Sequence, residues 1–145
     1  MALPVPEPGL VLGYNYLWTH EHDAGLEEGR KARPCAVILA REVVNGVVQV
    51  SVVPITHSPP DAASLAIEIP GAVKRHLGLD SERSWIVVSE YNAFNWPGAD
   101  LAPVSRETPN QFSYGLLPPA LYEQIRSLML EGLGQKKTRQ VTRTS

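Results

Sequence analysis

Residues 30–58 read RKARPCAVILAREVVNGVVQVSVVPITHS, and this stretch predicts the centre of the fold. Arg33-Pro34 favours extended backbone, and the apolar run CAVILA at residues 35–40 is typical of a strand buried on both faces. Asn45-Gly46 predicts a two-residue hairpin turn of type I′, because both central positions of that turn need positive φ. Residues 47–55 then form the returning strand, which is rich in valine.

An antiparallel hairpin places the start of its first strand beside the end of its second, and so brings Arg33 and Thr56 to one end of the sheet. A guanidinium presents a fixed fork of donors to phosphate oxygens, and a threonine hydroxyl can bond a further phosphate oxygen. Other roles remain open. Arg33 can pair with a carboxylate such as Glu28 or Glu42, and the hydroxyls of Thr56 and Ser58 can satisfy backbone groups of the turn that follows.

The remaining pattern predicts short strands with two helices. Pro54 indicates that its strand is an edge strand or is about to end. The expected elements are strands at 9–16, 65–69, 84–90 and just before Pro97, a short helix from Pro70 to Gly78, and a helix from Pro118-Pro119 to about Leu133. A mobile loop is expected over residues 17–32. We therefore predict a mainly β (α+β) fold in the form of a small closed barrel with a packed C-terminal helix.

Composition bounds the domain organisation. A chain of 145 residues with 43% hydrophobic residues fits one folded domain, which we assign to residues 9–134, after an extended lead-in at 1–8. Residues 135–145 contain several cations and no acid, although the net charge is −2, and predict a disordered tail, with phosphate affinity as the alternative. The only cysteine, Cys35, excludes an intramolecular disulfide. No signal peptide or membrane-spanning stretch is visible, so we expect a cytoplasmic protein.

Three histidines raise the question of a metal. Residues 19–23 read THEHD, and in extended backbone His20 and His22 would project to one side, with His57 as a conceivable third ligand. The pattern lacks the helical spacing of zinc hydrolases, so we assign no metal ligand and no cofactor. His57 can instead exchange a proton near neutral pH. Trp18, beside these histidines, is the tryptophan we expect to be exposed, where it could stack on a base.

The order of these motifs resembles the MazF/PemK toxin family over about residues 9–133. The sharpest parts are KARPCAVIL at 31–39 and VVPITHS at 52–58. The others are a Gly-x-Val first strand, a Gly-Leu turn before Ser-x-Ile-Val-Val, and Gly-Leu-Leu-Pro before the last helix. The resemblance implies an SH3-like β-barrel of the MazF/PemK/CcdB type. It also implies a homodimer that cleaves single-stranded RNA without a metal and is neutralised by an antitoxin peptide bound in its groove.

The family's catalytic arginine and threonine fall on Arg33 and Thr56. In that chemistry the ribose 2′-OH attacks the adjacent phosphorus, Arg33 stabilises the charged phosphorane or protonates the leaving oxygen, and Thr56 orients a phosphate oxygen. His57 is a possible third catalytic residue. The predicted substrate contacts are Trp18, His20, His22, Lys31 and Ser58.

Two other functions stay open from the sequence. One is a non-catalytic barrel that binds a protein partner or nucleic acid. The other is a metal-dependent enzyme that uses His20, His22 and His57.

Overall fold

The computed structural model describes residues 3–26, 31–42, 44–62 and 64–143. Within this part the chain forms eight strands, three helices and one 3₁₀ turn at Val44–Gly46. The strands are β1 Leu10–Tyr14, β2 Arg33–Glu42, β3 Val48–Thr56, β4 Ala66–Glu68, β5 Trp85–Val87, β6 Glu90–Asn95, β7 Ser113–Leu116 and β8 Arg139–Thr142. The helices are α1 Thr19–Asp23, α2 Gly71–Leu77 and α3 Pro119–Gly134. The predicted mainly β fold with added helices is confirmed.

The central hairpin forms as predicted, with β2 and β3 antiparallel and Cys35 opposite Pro54. Asn45 and Gly46 both have positive φ, of 68° and 74°. The last pair of the ladder is Glu42 with Val48, so the connection is longer than the two-residue turn that we predicted.

The strands are ordered β4-β5-β3-β2-β1-β7, and β6 pairs with both β3 and β8. Among the strands of the described residues, only β6 and β8 pair in parallel. On one side of β3, β6 pairs with residues 49–52 and β5 pairs with residues 55 and 56, so Pro54 lies at the branch between them. Of the two alternatives predicted for Pro54, the strand end is confirmed, because β3 ends at Thr56, whereas β3 is not an edge strand because it has neighbours on both sides. Among the described residues the strand pairings do not close into a barrel.

The sheet is buried on both faces. On one face, β1, β2, β3 and β5 pack against α2 and α3 in a cluster that includes Val11, Ala36, Val53, Ile86, Leu121, Ile125 and Met129. On the other face a second cluster includes Leu12, Tyr14, Tyr16, Cys35, Val37, Val52 and Phe94. Successive residues of β2 enter opposite clusters, which explains its unbroken apolar run.

The two predicted helices are confirmed. Helix α2 follows Pro70 and ends at Gly78, whose φ of 69° is the left-handed conformation that glycine adopts without steric cost. Helix α3 buries Leu121 and Ile125, while Leu128 is half-buried. No helix in the described ranges combines the length and the apolar character that crossing a membrane requires.

Two predicted irregular regions contain regular structure. The expected loop at 17–32 includes α1, whose first turn is held by a hydrogen bond of 3.1 Å from Trp18 N to Glu21 Oε1. The expected disordered tail includes β8, in which Val141 is buried. The basic composition of the tail misled the prediction, because two of its cations pair with carboxylates of the domain, Arg139 with Asp23 at the surface and the buried Arg143 with Asp100. Strand β7 was not predicted either.

Candidate functional site

A cleft of about 650 Å³ lies where β2 begins and β3 ends. Six of the residues selected from the sequence line it, namely Trp18, His20, Lys31, Arg33, Thr56 and Ser58. A second cavity of about 240 Å³ shares Lys31, Arg33, Thr56 and Ser58 with the first and adds His57. The hairpin therefore brings Arg33 and Thr56 together, as its antiparallel geometry predicted.

Arg33 is the first residue of β2, and it lines both cavities. Its guanidinium carbon lies 5.0 Å from the centre of the Trp18 ring, within the range of a cation–π contact. Its Nε is buried and has no hydrogen-bond partner among the described residues. The alternative partner Glu42 lies at the far end of the same strand, and Glu28 lies outside the described residues. A buried donor without a partner is costly in a folded protein.

Thr56 ends β3 and holds the start of the next turn. Its Oγ1 accepts a hydrogen bond of 3.1 Å from Ser58 N, so the backbone-satisfying role considered from the sequence is confirmed. A hydroxyl that accepts this bond still has its proton to donate. Thr56 can therefore serve the turn and a ligand oxygen at the same time.

His57 lines the smaller cavity and contacts two carboxylates. Its Nε2 lies 2.8 Å from Asp80 Oδ2, and its Nδ1 lies 3.3 Å from Glu82 Oε2. An imidazole donates hydrogen bonds from both nitrogens only when it is protonated. The other oxygen of Asp80 accepts a bond of 2.8 Å from the buried Lys74, and this bond holds the pKa of Asp80 below its ordinary value.

Helix α1 separates the two neighbouring histidines. His20 lines the cleft with its ring centre 6.2 Å from that of Trp18, in stacked orientation. His22 is exposed and is not among the described residues that line either cavity. The extended geometry that we expected here is wrong, since residues two apart on a helix do not face the same side.

The metal site considered from the sequence is not assembled. Within the described ranges, one group of three potential ligands lies close enough to share an ion, and it consists of His57, Asp80 and Glu82. All three are exposed and already joined by the ion pairs above. His20 and His22 are not part of it.

Sequence reasoning missed the carboxylates that line the cleft, namely Glu21, Asp61 and Glu90. Glu90 begins β6 and is half-buried. Its Oε1 accepts bonds from Tyr16 OH at 3.2 Å and Thr19 N at 3.0 Å, and its Oε2 accepts one from Thr19 Oγ1 at 3.2 Å. Burial, the largest influence, raises the pKa of Glu90 above its ordinary value of 4.5. The only signal in the sequence was a carboxylate two residues after the apolar run at residues 85–88.

The site thus combines a cation and a hydroxyl at the hairpin end, an aromatic wall at Trp18 and His20, and a carboxylate whose proton affinity is raised. Such a set can bind a phosphate, stack a base and accept a proton. A scan against protein-family models finds no match for the chain, and a search of the curated proteins finds none either. The functional argument therefore rests on these residues and their geometry.

Proposed function

We propose that the protein is an endoribonuclease of the MazF/PemK type, which cleaves single-stranded RNA in the cytoplasm without a metal. The observation that carries the proposal is the meeting of Arg33 and Thr56 in one cleft. The SH3-like barrel of that family is part of the same proposal. The antiparallel β1–β2–β3 core supports it.

In the proposed reaction the ribose 2′-oxygen attacks the adjacent phosphorus, and the bond from phosphorus to the 5′-oxygen breaks. The leaving 5′-oxygen takes a proton from the solvent, to which the base later returns the proton that it accepted, and the products are a 2′,3′-cyclic phosphate and a free 5′-hydroxyl. Arg33 stabilises the charge that develops on the phosphorane oxygens, and a donor placed in this way contributes about 3 kcal/mol to catalysis. The Thr56 hydroxyl donates a hydrogen bond to a phosphate oxygen and thereby fixes the orientation of the phosphate.

Glu90 is the residue that we propose as the acceptor of the 2′-OH proton. Its Oε2 accepts one described bond, from Thr19 Oγ1, and an ionised carboxylate oxygen has a second lone pair available. A carboxyl group with a raised pKa is a stronger base than an ordinary one, and proton transfer is most efficient when its pKa approaches the working pH.

The aromatic wall supports a single-stranded substrate. Trp18 and His20 offer ring faces beside the proposed phosphate site, and only an unpaired base can leave its neighbours to stack on them. Lys31 and Ser58 line the same cleft and can contact the flanking phosphate or ribose.

Cleavage of a mixed set of single-stranded RNA oligonucleotides in EDTA tests the proposal. We expect products that end in a 2′,3′-cyclic phosphate. Arg33→Ala and Thr56→Val should each lower kcat/KM about a hundredfold or more, with an unchanged circular dichroism spectrum. Arg41→Ala is the matched control, because Arg41 is exposed on the same strand at its other end. A wild-type protein that leaves every RNA intact, or an Arg33→Ala variant as active as the wild type, would overturn the proposal.

The carboxylates of the cleft favour a second candidate, a non-catalytic barrel that binds a protein partner. Glu21, Asp61 and Glu90 line the cleft together with Trp18, a combination that suits a ligand with lysine or arginine side chains. Growth inhibition on expression that survives both Arg33→Ala and Thr56→Ala would favour this candidate over the ribonuclease.

The resemblance adds two partners to the leading proposal, a second copy of the chain and an antitoxin. Light scattering on the purified protein tests the dimer. Co-expression with the product of the neighbouring reading frame tests whether a small acidic protein relieves the growth inhibition that RNA cleavage would cause.

A further inference from the structure

The wall of the cleft that carries Trp18 and His20 has little regular structure to hold it. It comprises residues 15–23, which we call the cleft wall, and its helix α1 has only five residues. A helix this short is not stable by itself in water. Contacts from elsewhere in the chain must therefore fix its position.

The beginning of the cleft wall is held by a buried polar network. Arg143 Nη1 donates to Asn15 O at 2.8 Å and to Asn92 Oδ1 at 3.2 Å. Asn92 in turn accepts from Leu17 N at 2.9 Å and donates to Leu17 O at 2.8 Å. Arg143 Nη2 lies 2.9 Å from Asp100 Oδ2, and Asp100 O accepts from Asn15 N at 2.8 Å. The network thus bonds the backbone of the two residues on either side of Tyr16.

The end of the cleft wall is held from the surface. Arg139 donates to both oxygens of Asp23, the last residue of α1, at 2.6 and 2.7 Å. This bond is the first cause of the lowered pKa of Asp23. Arg139 is the first residue of β8, and Arg143 comes directly after its last residue, Thr142. Side chains from the two ends of this strand therefore reach both ends of the cleft wall. Pairing of β8 with β6, in the register Glu90 to Arg139, fixes this strand beside the cleft.

We propose that β8 positions the cleft wall, with Arg143 and Arg139 as the positioning residues, and thereby sets the stacking surface of Trp18 against Arg33 and Thr56. Its consequence for RNA rests on the proposed function. A base that stacks on Trp18 keeps the next phosphate within reach of Arg33. A displacement of that phosphate by about 1 Å can cost a large factor in rate or affinity. Neither arginine is needed to touch the substrate.

Hydrogen exchange tests the positioning without reference to any activity. Arg143→Met should raise amide exchange in the cleft wall about tenfold, with exchange in β2 and β3 unchanged, and Arg143→Lys should give an intermediate increase. Arg126→Met is the control, since Arg126 is exposed on α3. Unchanged exchange in the cleft wall of a folded Arg143→Met variant would overturn the proposal.

The surface contact provides a second test if Arg143→Met does not fold. Arg139→Asp and Asp23→Arg should each raise exchange across α1 about threefold, and the double variant should restore it because the charges are exchanged. Single variants with an unchanged exchange rate in α1, or a double variant whose α1 exchanges as fast as in the single variants, would exclude Arg139 as a positioning residue.

RNA kinetics test the link to the site. Loss of positioning should raise KM for Arg143→Met about tenfold and lower kcat as well, whereas a smaller folded fraction would lower the apparent kcat alone and leave KM unchanged. A raised exchange rate with an unchanged KM would refute the link. If the wild-type protein cuts no RNA, the proposed function fails, and the exchange data still decide whether β8 positions the cleft wall.

Discussion

The guanidinium carbon of Arg33 lies 5.0 Å from the centre of the Trp18 ring, so the first residue of β2 meets the residue that precedes α1 across the cleft. The indole ring also contacts Tyr16, edge to face at 5.2 Å, and stacks with His20. Trp18 therefore belongs at once to the aromatic wall and to the surroundings of the proposed catalytic cation.

Replacement of Trp18 should weaken RNA binding more than any other aromatic change. Trp18→Ala should lower affinity for a non-cleavable 2′-O-methyl RNA by about tenfold to a hundredfold, because stacking of one base on an aromatic ring is worth about 1–3 kcal/mol. Fluorescence anisotropy measures this directly. Trp96→Phe should bind as the wild type does, because Trp96 packs against the same apolar cluster as Trp18 but is not among the described residues that line either cavity. Equal affinities for wild type and Trp18→Ala would contradict the stacking role.

His20 and His22 form a matched pair on one helix. His20→Ala removes a ring that stacks with Trp18 in the cleft and should raise KM about fivefold. His22→Ala should leave KM and kcat unchanged, because His22 is exposed and lies away from both cavities. Steady-state kinetics on one RNA compare the two. A larger loss for His22→Ala than for His20→Ala would show that the helix is turned the other way.

The raised pKa of Glu90 predicts the direction of a stability change with pH. Between the ordinary carboxyl pKa of 4.5 and the higher pKa of the folded protein, the folded state holds a proton that the unfolded state has released. This contribution lowers the free energy of unfolding as pH rises through the window. Glu90→Gln lacks this group, so the stability of the wild type relative to the variant should fall as the pH rises above 4.5. Urea unfolding across this range measures both proteins, and a constant difference would refute the raised pKa.

Lys74 is a buried cation that holds the loop between α2 and β5. Its Nζ donates to Asp80 Oδ1 and Ser84 Oγ, each at 2.8 Å, and to Glu82 O. Lys74→Met should lower the free energy of unfolding by about 2 kcal/mol, because the buried Ser84 hydroxyl and the Glu82 carbonyl lose their donor. Arg75→Met, on the exposed side of the same helix, should change it by about 0.5 kcal/mol or less. Chemical denaturation distinguishes these outcomes, and similar values for both variants would contradict the role of Lys74.

Local patterns predicted the parts of the fold that depend on neighbouring residues. The hairpin followed from the apolar run at residues 35–40 and from Asn45-Gly46, and α2 followed from Pro70 and Gly78. The positions of Arg33 and Thr56 at one end of the sheet followed from antiparallel pairing alone.

Contacts between distant residues explain what the sequence could not predict. Helix α1 is held by Arg139, which lies 116 positions after Asp23, and the start of the cleft wall by Arg143, 128 positions after Asn15. Read locally, the same residues look like a polar loop and a basic tail. Glu90 was missed for a similar reason, because its environment is created by Thr19, 71 positions earlier.

The position of Pro54 affects how β3 aligns with its neighbouring strands during folding. Valines recur along β3, so a shift of the strand by two residues would bury comparable side chains. A shift by one residue would turn every side chain to the opposite face. A proline cannot donate to a ladder, and Pro54 sits where neither β5 nor β6 pairs with β3. A slip of β3 along β5 or β6 would bring Pro54 into one of those ladders and lose a hydrogen bond. Pro54 therefore favours the observed alignment of β3 with β5 and β6, in which Thr56 lies opposite Trp85.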